Sequence, residues 1–332
     1  MSAIGDDSLP RALAATLSKL WSDPRVRIGT MEPFGDGHSG LTFLIDLDSE
    51  RFHGKYVVRI SPTGSRIAGP ADVGRQGRIM AALAALRFPV PHVLAADSTG
   101  LLNGRAIAVL ELVHGTDWRK AAAARSDRFI AELAVGALHQ LRSVAIERTS
   151  LIDEGSFTVE HDLRRWTALL PRCTESLRRP ALLLYTALVA SVPDPVSPAL
   201  VHGDFHYGNM LFRDDMLVAV LDWEIAALGD PRADLGCLAV ASLRRRYHPD
   251  PNPTGDVAVS LSDLASMYGL PKDEMAWFVA AACLKYAAIL GYNHDLHVRG
   301  KRIDPIYDDL TVTMNHLLTD GATVLRHGID YP

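Results

Sequence analysis

The sequence has 332 residues, 48% hydrophobic and 22% charged, with a net charge of −5 and a pI near 6.2. This is ordinary globular composition, enough for one large domain or two moderate ones, and its mildly acidic balance gives no electrostatic reason to bind nucleic acid or an anionic membrane. Cys173, Cys237 and Cys283 are far apart, odd in number and without a C-x-x-C, which argues against a disulfide framework or zinc site and fits a cytoplasmic, reducing setting. Asp6 and Asp7 precede a short amphipathic stretch with no basic n-region, so a signal peptide is not expected, and no uninterrupted apolar run reaches the roughly eighteen residues of a membrane span.

In chain order, Leu9 to Trp21 predicts a helix stopped by Ser22-Asp23-Pro24. Strand character follows at Val26 to Phe34, Leu41 to Leu47 and Lys55 to Ile60, the first two joined by Gly35-Asp36-Gly37-His38-Ser39-Gly40. Alanine-rich Ala71 to Leu86 predicts a helix, and Val90 to Ala95 and Ala106 to Glu111 two more strands. After His114-Gly115 the pattern turns helical, at Arg128 to Val144, Leu163 to Leu170, Leu182 to Ser191 and again from Arg232 to Leu243 onward. The expected organisation is an α/β (α+β) chain with a small β-rich N-lobe over 1–113, a linker at 111–116 and a mostly helical C-lobe over 117–332.

The chemistry concentrates in Leu200-Val201-His202-Gly203-Asp204-Phe205-His206-Tyr207-Gly208-Asn209, followed by an apolar run ending in Asp222-Trp223-Glu224. Asn209 to Phe212 and Leu217 to Leu221 read as a hairpin around a turn at Arg213 to Met216, which would bring Asn209 and Asp222 out at one open end with Asp204 on the entering loop. Carboxylate and amide oxygens suit a hard cation such as Mg²⁺, and the remaining Asp is left to take the proton of an attacking hydroxyl. The Asp204 to Asn209 spacing is that of the protein-kinase catalytic loop, and Asp222 stands where D-F-G carries its metal-binding Asp. Each residue singly reads as a turn cap or strand end; the combination does not.

These segments resemble the aminoglycoside phosphotransferase and choline kinase-like superfamily, whose fold is the two-lobed protein-kinase-like one. The run LDWEIAALGDPRADLG, Leu221 to Gly236, is especially similar to the branch that includes phosphotransferase domains fused to acyl-CoA dehydrogenases. Gly35 to Thr42, Tyr56-Val57-Val58-Arg59, Pro89 to Leu94 and Leu138-His139 follow that branch in order, so the resemblance spans about residues 26–240. It implies a kinase that uses ATP (GTP possible) and Mg²⁺ to phosphorylate the hydroxyl of a small molecule. Asp204 is then the catalytic base, and Asn209 and Asp222 are metal ligands. Phosphate contacts are expected from Arg59 and from Gly35, Gly37, His38 and Ser39. Adenine would meet the backbone of the hinge at Glu111 and Val113.

The sequence departs from kinases where Arg59 replaces the third-strand Lys and Gln76 the helix Glu. Arg takes phosphate bidentately, and Gln orients Arg without neutralising it. An alternative drawn from this departure is a degenerate kinase-like nucleotide-binding or regulatory module. His202 and His139 read as buried structural histidines, and Asp234 as a helix cap or a partner of the catalytic loop. The loop reads H-G-D without the Arg of H-R-D, only about a dozen residues separate Asp222 from Asp234, and no A-P-E follows, so a small-molecule acceptor is expected in place of a protein. The acceptor should meet residues after Asp234. Acids there (Asp295, Asp304, Asp308, Asp309) are interleaved with Lys285, Arg299, Lys301 and Arg302, and aromatics include Trp277, Phe278, Tyr286, Tyr292 and Tyr307. A metabolite hydroxyl is therefore expected over a polycationic aminoglycoside, the alternative acceptor.

Overall fold

A computed structural model of the protein describes residues 8–35, 41–149, 151–244 and 257–330. Two compact units emerge: one runs through His114 and adds Glu147–Ser150 and Val218–Ile225, and the other comprises Gly115–Ile146, Leu151–Leu217 and Ala226 onward. Residues 218–225, Asp222 among them, group with the first unit.

The first unit opens with α1 (Ser8–Trp21), followed by β1 (Arg27–Pro33), β2 (Leu41–Asp48) and β3 (His53–Ile60). Helix α2 (Val73–Ala85) precedes β4 (Val93–Leu102) and β5 (Arg105–Glu111). The five strands form one sheet in the order β1-β2-β3-β5-β4, with every neighbouring pair antiparallel. Alternation places Ile45, Leu47, Val58, Ile60, Ile107 and Val109 in a core shared with Leu13 and Leu17 of α1. α2 is started by Asp72, whose carboxylate accepts the Arg75 N–H at 2.8 Å. β4 lies later than the expected Val90 to Ala95. Pro89 and Pro91 lack N–H groups for the ladder, and the strand extends instead to a tight turn at Asn103-Gly104, where both residues have positive φ (53° and 78°).

The second unit is mostly helical: α3 (Trp118–Ala124), α4 (Asp127–Arg142), α5 (Val159–Thr167) and α6 (Glu175–Ala190) come first. α6 begins seven residues before the expected Leu182 and carries Pro180 inside it, the residue that hid its first turns from a reading by pattern. Short strands follow: β6 (Ala199–Val201), β7 (Met210–Arg213), β8 (Met216–Val220) and β9 (Ala227–Gly229), with β6 paired to β9 and β7 to β8. The β7–β8 turn is tighter than the expected four residues, closing at Asp214-Asp215 with Asp214 at φ 52°. Then come α7 (Arg232–Arg244), α8 (Leu261–Tyr268), α9 (Lys272–Val298) and α10 (Ile306–His327). α9 is long and apolar enough by composition to cross a membrane, but it is a core helix buried on most of its faces. Gly236 of α7 sits against it, where a Cβ would meet the Phe278 carbonyl oxygen at 2.3 Å; this close approach brings α7 and α9 together beneath the loop that follows β6. All three cysteines are buried and unbridged.

Candidate active site

In the second unit β6 delivers the chain into His202-Gly203-Asp204, and three buried groups fix that turn. The Asp234 carboxylate at the start of α7 accepts the backbone N–H groups of His202 and Gly203, at 2.7 and 2.8 Å. The Lys285 ammonium of α9 donates to the Gly203 carbonyl and lies over the Trp166 ring, 4.9 Å from its centroid. The buried His202 ring accepts the Asp204 N–H on Nδ1 at 3.1 Å, which leaves its proton on Nε2. Gly203 has φ 84°, a left-handed conformation that a residue with a Cβ adopts only under strain. Asp230-Pro231-Arg232, just ahead, is also structural. The buried Arg232 guanidinium pairs with Asp230 (2.6 Å) and Glu274 (2.5 Å) and donates to the Asp194 carbonyl (2.8 Å).

So held, Asp204 presents its carboxylate to three donors. Tyr286 O–H donates to Oδ1 at 2.7 Å, Asn209 Nδ2 approaches Oδ2 at 3.3 Å, and His206 Nε2 stands 3.5 Å from Oδ2. Asn209 Nδ2 also donates to the Asp204 carbonyl at 2.9 Å, and His206 Nδ1 accepts the Gly208 N–H at 3.0 Å, so each ring and amide is oriented. Burial by itself would raise the Asp204 carboxyl, but His206, Lys285 and the Tyr286 hydrogen bond overcome it and hold the group far below the usual carboxylate range. Asp234 goes the other way: burial pushes it up to about 6 against its two backbone hydrogen bonds and Lys285. Burial also opposes the Lys285 ammonium, but Cys237 and the carboxylates of Asp162, Asp204 and Asp234 outweigh it and raise the lysine.

Asp204 and His206 line a cavity of about 390 Å³ in this unit. Tyr286, Ile289 and Leu290 of α9, Val240 of α7, and Leu310 and Thr313 of α10 supply much of the rest of its wall. Of the aromatics expected near an acceptor after Asp234, only Tyr286 lines it. Trp277 and Phe278 are core residues, the indole of the former donating to the Leu188 carbonyl at 3.1 Å. Of the acids expected there, Asp295 pairs with Arg172 (2.5 Å) and Arg299 (3.5 Å), Asp308 with His297 (3.2 Å) and His294 (3.6 Å), Asp304 accepts the Ile306 N–H at 3.1 Å, and Asp309 is exposed; none of the four lines the cavity. His139, expected to be buried, is exposed and stacks on Tyr268 with ring centroids 5.0 Å apart; its position on α4 faces outward.

In the first unit Arg59 of β3 reaches both Gln76 Oε1 (2.8 Å) and Asp222 Oδ1 (3.0 Å) through Nη1. The buried Gln76 amide is fully oriented, since its Nε2 donates to the Pro70 carbonyl at 3.1 Å. Asp222 has φ 63°, an uncommon left-handed conformation for a residue with a side chain and the kind of local strain that clusters at functional sites. Beside it Trp223 is fully buried, its indole donating to the Val220 carbonyl at 3.0 Å and its ring edge-on to Phe88. Of the expected nucleotide residues, Glu111 ends β5 with its N–H donated to the His92 carbonyl at 2.8 Å, and Val113 is half-buried in the following coil. Gly35 is exposed with φ 74°; Gly37, His38 and Ser39 lie outside the described residues.

Each of the two expected metal ligands, taken in its own unit, offers an oxygen of the kind that Mg²⁺ accepts. The Asp222 carboxylate is one-third exposed, and both hydrogen bonds of the Asn209 amide to Asp204 use its nitrogen, which leaves the amide oxygen for a cation. One or two hard oxygens from protein are what Mg²⁺ takes when phosphates and water complete its shell. Sequence reasoning missed the parts played by Lys285 and Tyr286. The available signal was a lone lysine inside an apolar helix, since a charge there is buried and therefore partnered.

Residues 30–270 match the family model described as the phosphotransferase enzyme family. Among curated proteins, mouse acyl-CoA dehydrogenase family member 10 is 29% identical over 345 residues, covering 97% of this chain and 31% of that protein. The chain thus spans about a third of the length of the curated relatives it matches. A solved structure from Ralstonia eutropha JMP134, provisionally an aminoglycoside phosphotransferase, aligns with TM-score 0.74 at 21% identity, covering 96% of this chain and 98% of that one. Aminoglycoside phosphotransferase APH(4)-Ia, solved with ADP and hygromycin B, aligns with TM-score 0.63 at 13% identity over 94% of this chain and 98% of its own. The fold is the kinase-like phosphotransferase fold that the sequence resemblance implied, with an antiparallel sheet in the N-terminal part and a mostly helical C-terminal part. By the family model that covers most of its length, the chain belongs to the phosphotransferase enzyme family.

Proposed function

We propose that the protein transfers the γ-phosphoryl group of ATP to a hydroxyl of a small molecule, a metabolite in preference to an aminoglycoside, with Asp204 as the base. The observation that carries this reading is the Asp204 carboxylate at a cavity wall, gripped at Oδ1 by Tyr286 and approached at Oδ2 only by longer contacts. The acceptor oxygen forms a bond to the γ-phosphorus, the bond from that phosphorus to the β,γ-bridging oxygen breaks, ADP leaves, and the hydroxyl proton passes to Asp204 Oδ2. A carboxylate held far below its usual range does not take that proton from a resting alcohol. It orients the hydroxyl and accepts the proton as bond formation to phosphorus acidifies it, which suits the loose transition state of phosphoryl transfer.

In this reading Asn209 and Asp222 each give an oxygen to Mg²⁺, whose contribution is to neutralise phosphate charge. Arg59, oriented by Gln76 and partnered by Asp222, is the phosphate cation, and Gly35, Gly37, His38 and Ser39 cover the phosphates through their N–H groups. The Glu111 and Val113 backbone meets adenine. Family membership and the ADP held by a structural neighbour support nucleotide use. The test is ADP release from Mg²⁺-ATP across a panel of small hydroxyl compounds, with the phosphoester identified by mass spectrometry. A chain that binds ATP yet phosphorylates nothing and hydrolyses nothing would overturn the reading.

A further inference from the structure

The geometry points to an acceptor alcohol with a chain-like apolar body and no positive charge, seated hydroxyl-first at Asp204 with its body along α9 and α10. The inference deepens the phosphotransferase reading and rests on it. It stands on the cavity's polarity gradient. The ionisable groups, Asp204 and His206, and the Tyr286 phenol sit together at one patch of wall, positioned by their mutual contacts. Beyond them the wall is mostly aliphatic, through Val240, Ile289, Leu290, Ile306, Leu310 and Leu317, with the Tyr207 phenol, the Cys237 thiol and Thr313 its polar members.

Among the described residues Asp204 is the only Asp or Glu in the lining, and the proposed reaction already employs it. An aminoglycoside ammonium placed among the aliphatic side chains would lose its water without gaining a counter-ion, a costly burial. Asp295 of α9 and Asp308 of α10 are not among its lining residues and are engaged by arginines and histidines. A polyol fares less well than an alkyl chain, since its hydroxyls beyond those that Tyr207, Cys237 and Thr313 could meet need partners that the aliphatic side chains do not supply. An alkyl chain needs none, and each methylene removed from water strengthens binding by about fourfold. A cavity of about 390 Å³ has room for more than the reacting hydroxyl alone.

The experiment uses the full chain with Mg²⁺-ATP. Straight-chain alcohols of increasing length, glycerol, sorbitol and kanamycin are compared by ADP release and phosphoester formation, and binding is followed separately by calorimetry. We expect kcat/KM to climb about fourfold per methylene and level off once the cavity is filled, with the polyols and kanamycin flat. In Leu310→Trp, which fills part of the cavity, the plateau should arrive at a shorter chain. A merely misfolded variant lowers every chain length alike and does not move the plateau. Faster turnover of kanamycin or sorbitol than of any alkyl alcohol overturns the acceptor class and leaves phosphoryl transfer standing. Binding that strengthens with chain length without any phosphoester overturns phosphoryl transfer and leaves the apolar site standing. Neither rate nor binding responding to chain length overturns the inference.

Discussion

The two units hold their polar machinery in opposite ways. In the first, Arg59 is partnered by one carboxylate and one neutral amide, and the carboxylate is one-third exposed. In the second, the Asp204 turn is fixed through its backbone from both sides, by Asp234 on its N–H groups and Lys285 on a carbonyl, both side chains buried in helices. The first arrangement can exchange partners at small cost when a phosphate or cation arrives. The second has no exposed member to exchange, and it fixes where the Asp204 carboxylate stands. A phosphotransferase needs both properties, adjustable charge toward a nucleotide and a rigid base toward the acceptor.

The largest effect should come from Asp204→Asn, which keeps shape and removes the proton acceptor. Turnover should fall by roughly 10²–10⁴-fold with ATP affinity and melting temperature nearly unchanged. Turnover near the wild-type rate would remove Asp204 from the chemistry.

Next in size is Asp234→Ala, which orphans two backbone N–H groups and leaves the Lys285 ammonium without a buried carboxylate. A loss of about 3–5 kcal/mol of stability is expected, read by urea unfolding. A pH series sharpens it. Asp234 titrates near 6 when folded and at the ordinary 3.8 when unfolded, so the folded state keeps a proton that the unfolded state releases. Wild-type stability should therefore fall as pH rises from about 4 to 6, and the variant should lose that slope. An unchanged slope would place its origin elsewhere.

Tyr286→Phe should act on the base without touching the turn that carries it. Losing a hydrogen bond to a charged group corresponds to about 1.5–3 kcal/mol, so kcat should drop roughly ten- to hundredfold while KM for ATP stays put. Equal damage to both would reassign Tyr286 to packing. The smallest effect belongs to Arg59→Ala. ATP should bind about tenfold more weakly while adenosine binds as before, since the proposed contact is to phosphate. Equal losses for both ligands would make Arg59 structural.

The legible parts of the molecule were those written in local pattern. β1, β2, β3, β5, the β7–β8 hairpin and α1 followed from alternation and periodicity, whereas β6 and β9 were not expected; H-G-D-x-x-x-x-N marked the turn after β6. What stayed hidden depended on tertiary contact. Pro180 masked the start of α6, and the Asn103-Gly104 turn that carries β4 past its expected end lay in a polar stretch. Lys285 and Tyr286 were visible as residues, but their direction was not, because helical spacing leaves a partner some eighty residues away undetermined. Gln76 is the instructive middle case. Its chemistry as an orienting amide was readable, whereas its second bond to the Pro70 carbonyl needed the fold.

Because α9 supplies Lys285 and Tyr286, the order in which the ribosome makes the chain matters. Asp204 is synthesised about eighty residues before them, an interval of roughly 4–16 s at ordinary elongation rates. His202 and Asp234, which also fix the Asp204 turn, are made well before α9, so only the contacts of Lys285 and Tyr286 wait for it. The stretch that matches the family ends at residue 270, just short of α9. The contacts of Lys285 and Tyr286 with the Asp204 turn can therefore form only after α9 has left the exit tunnel.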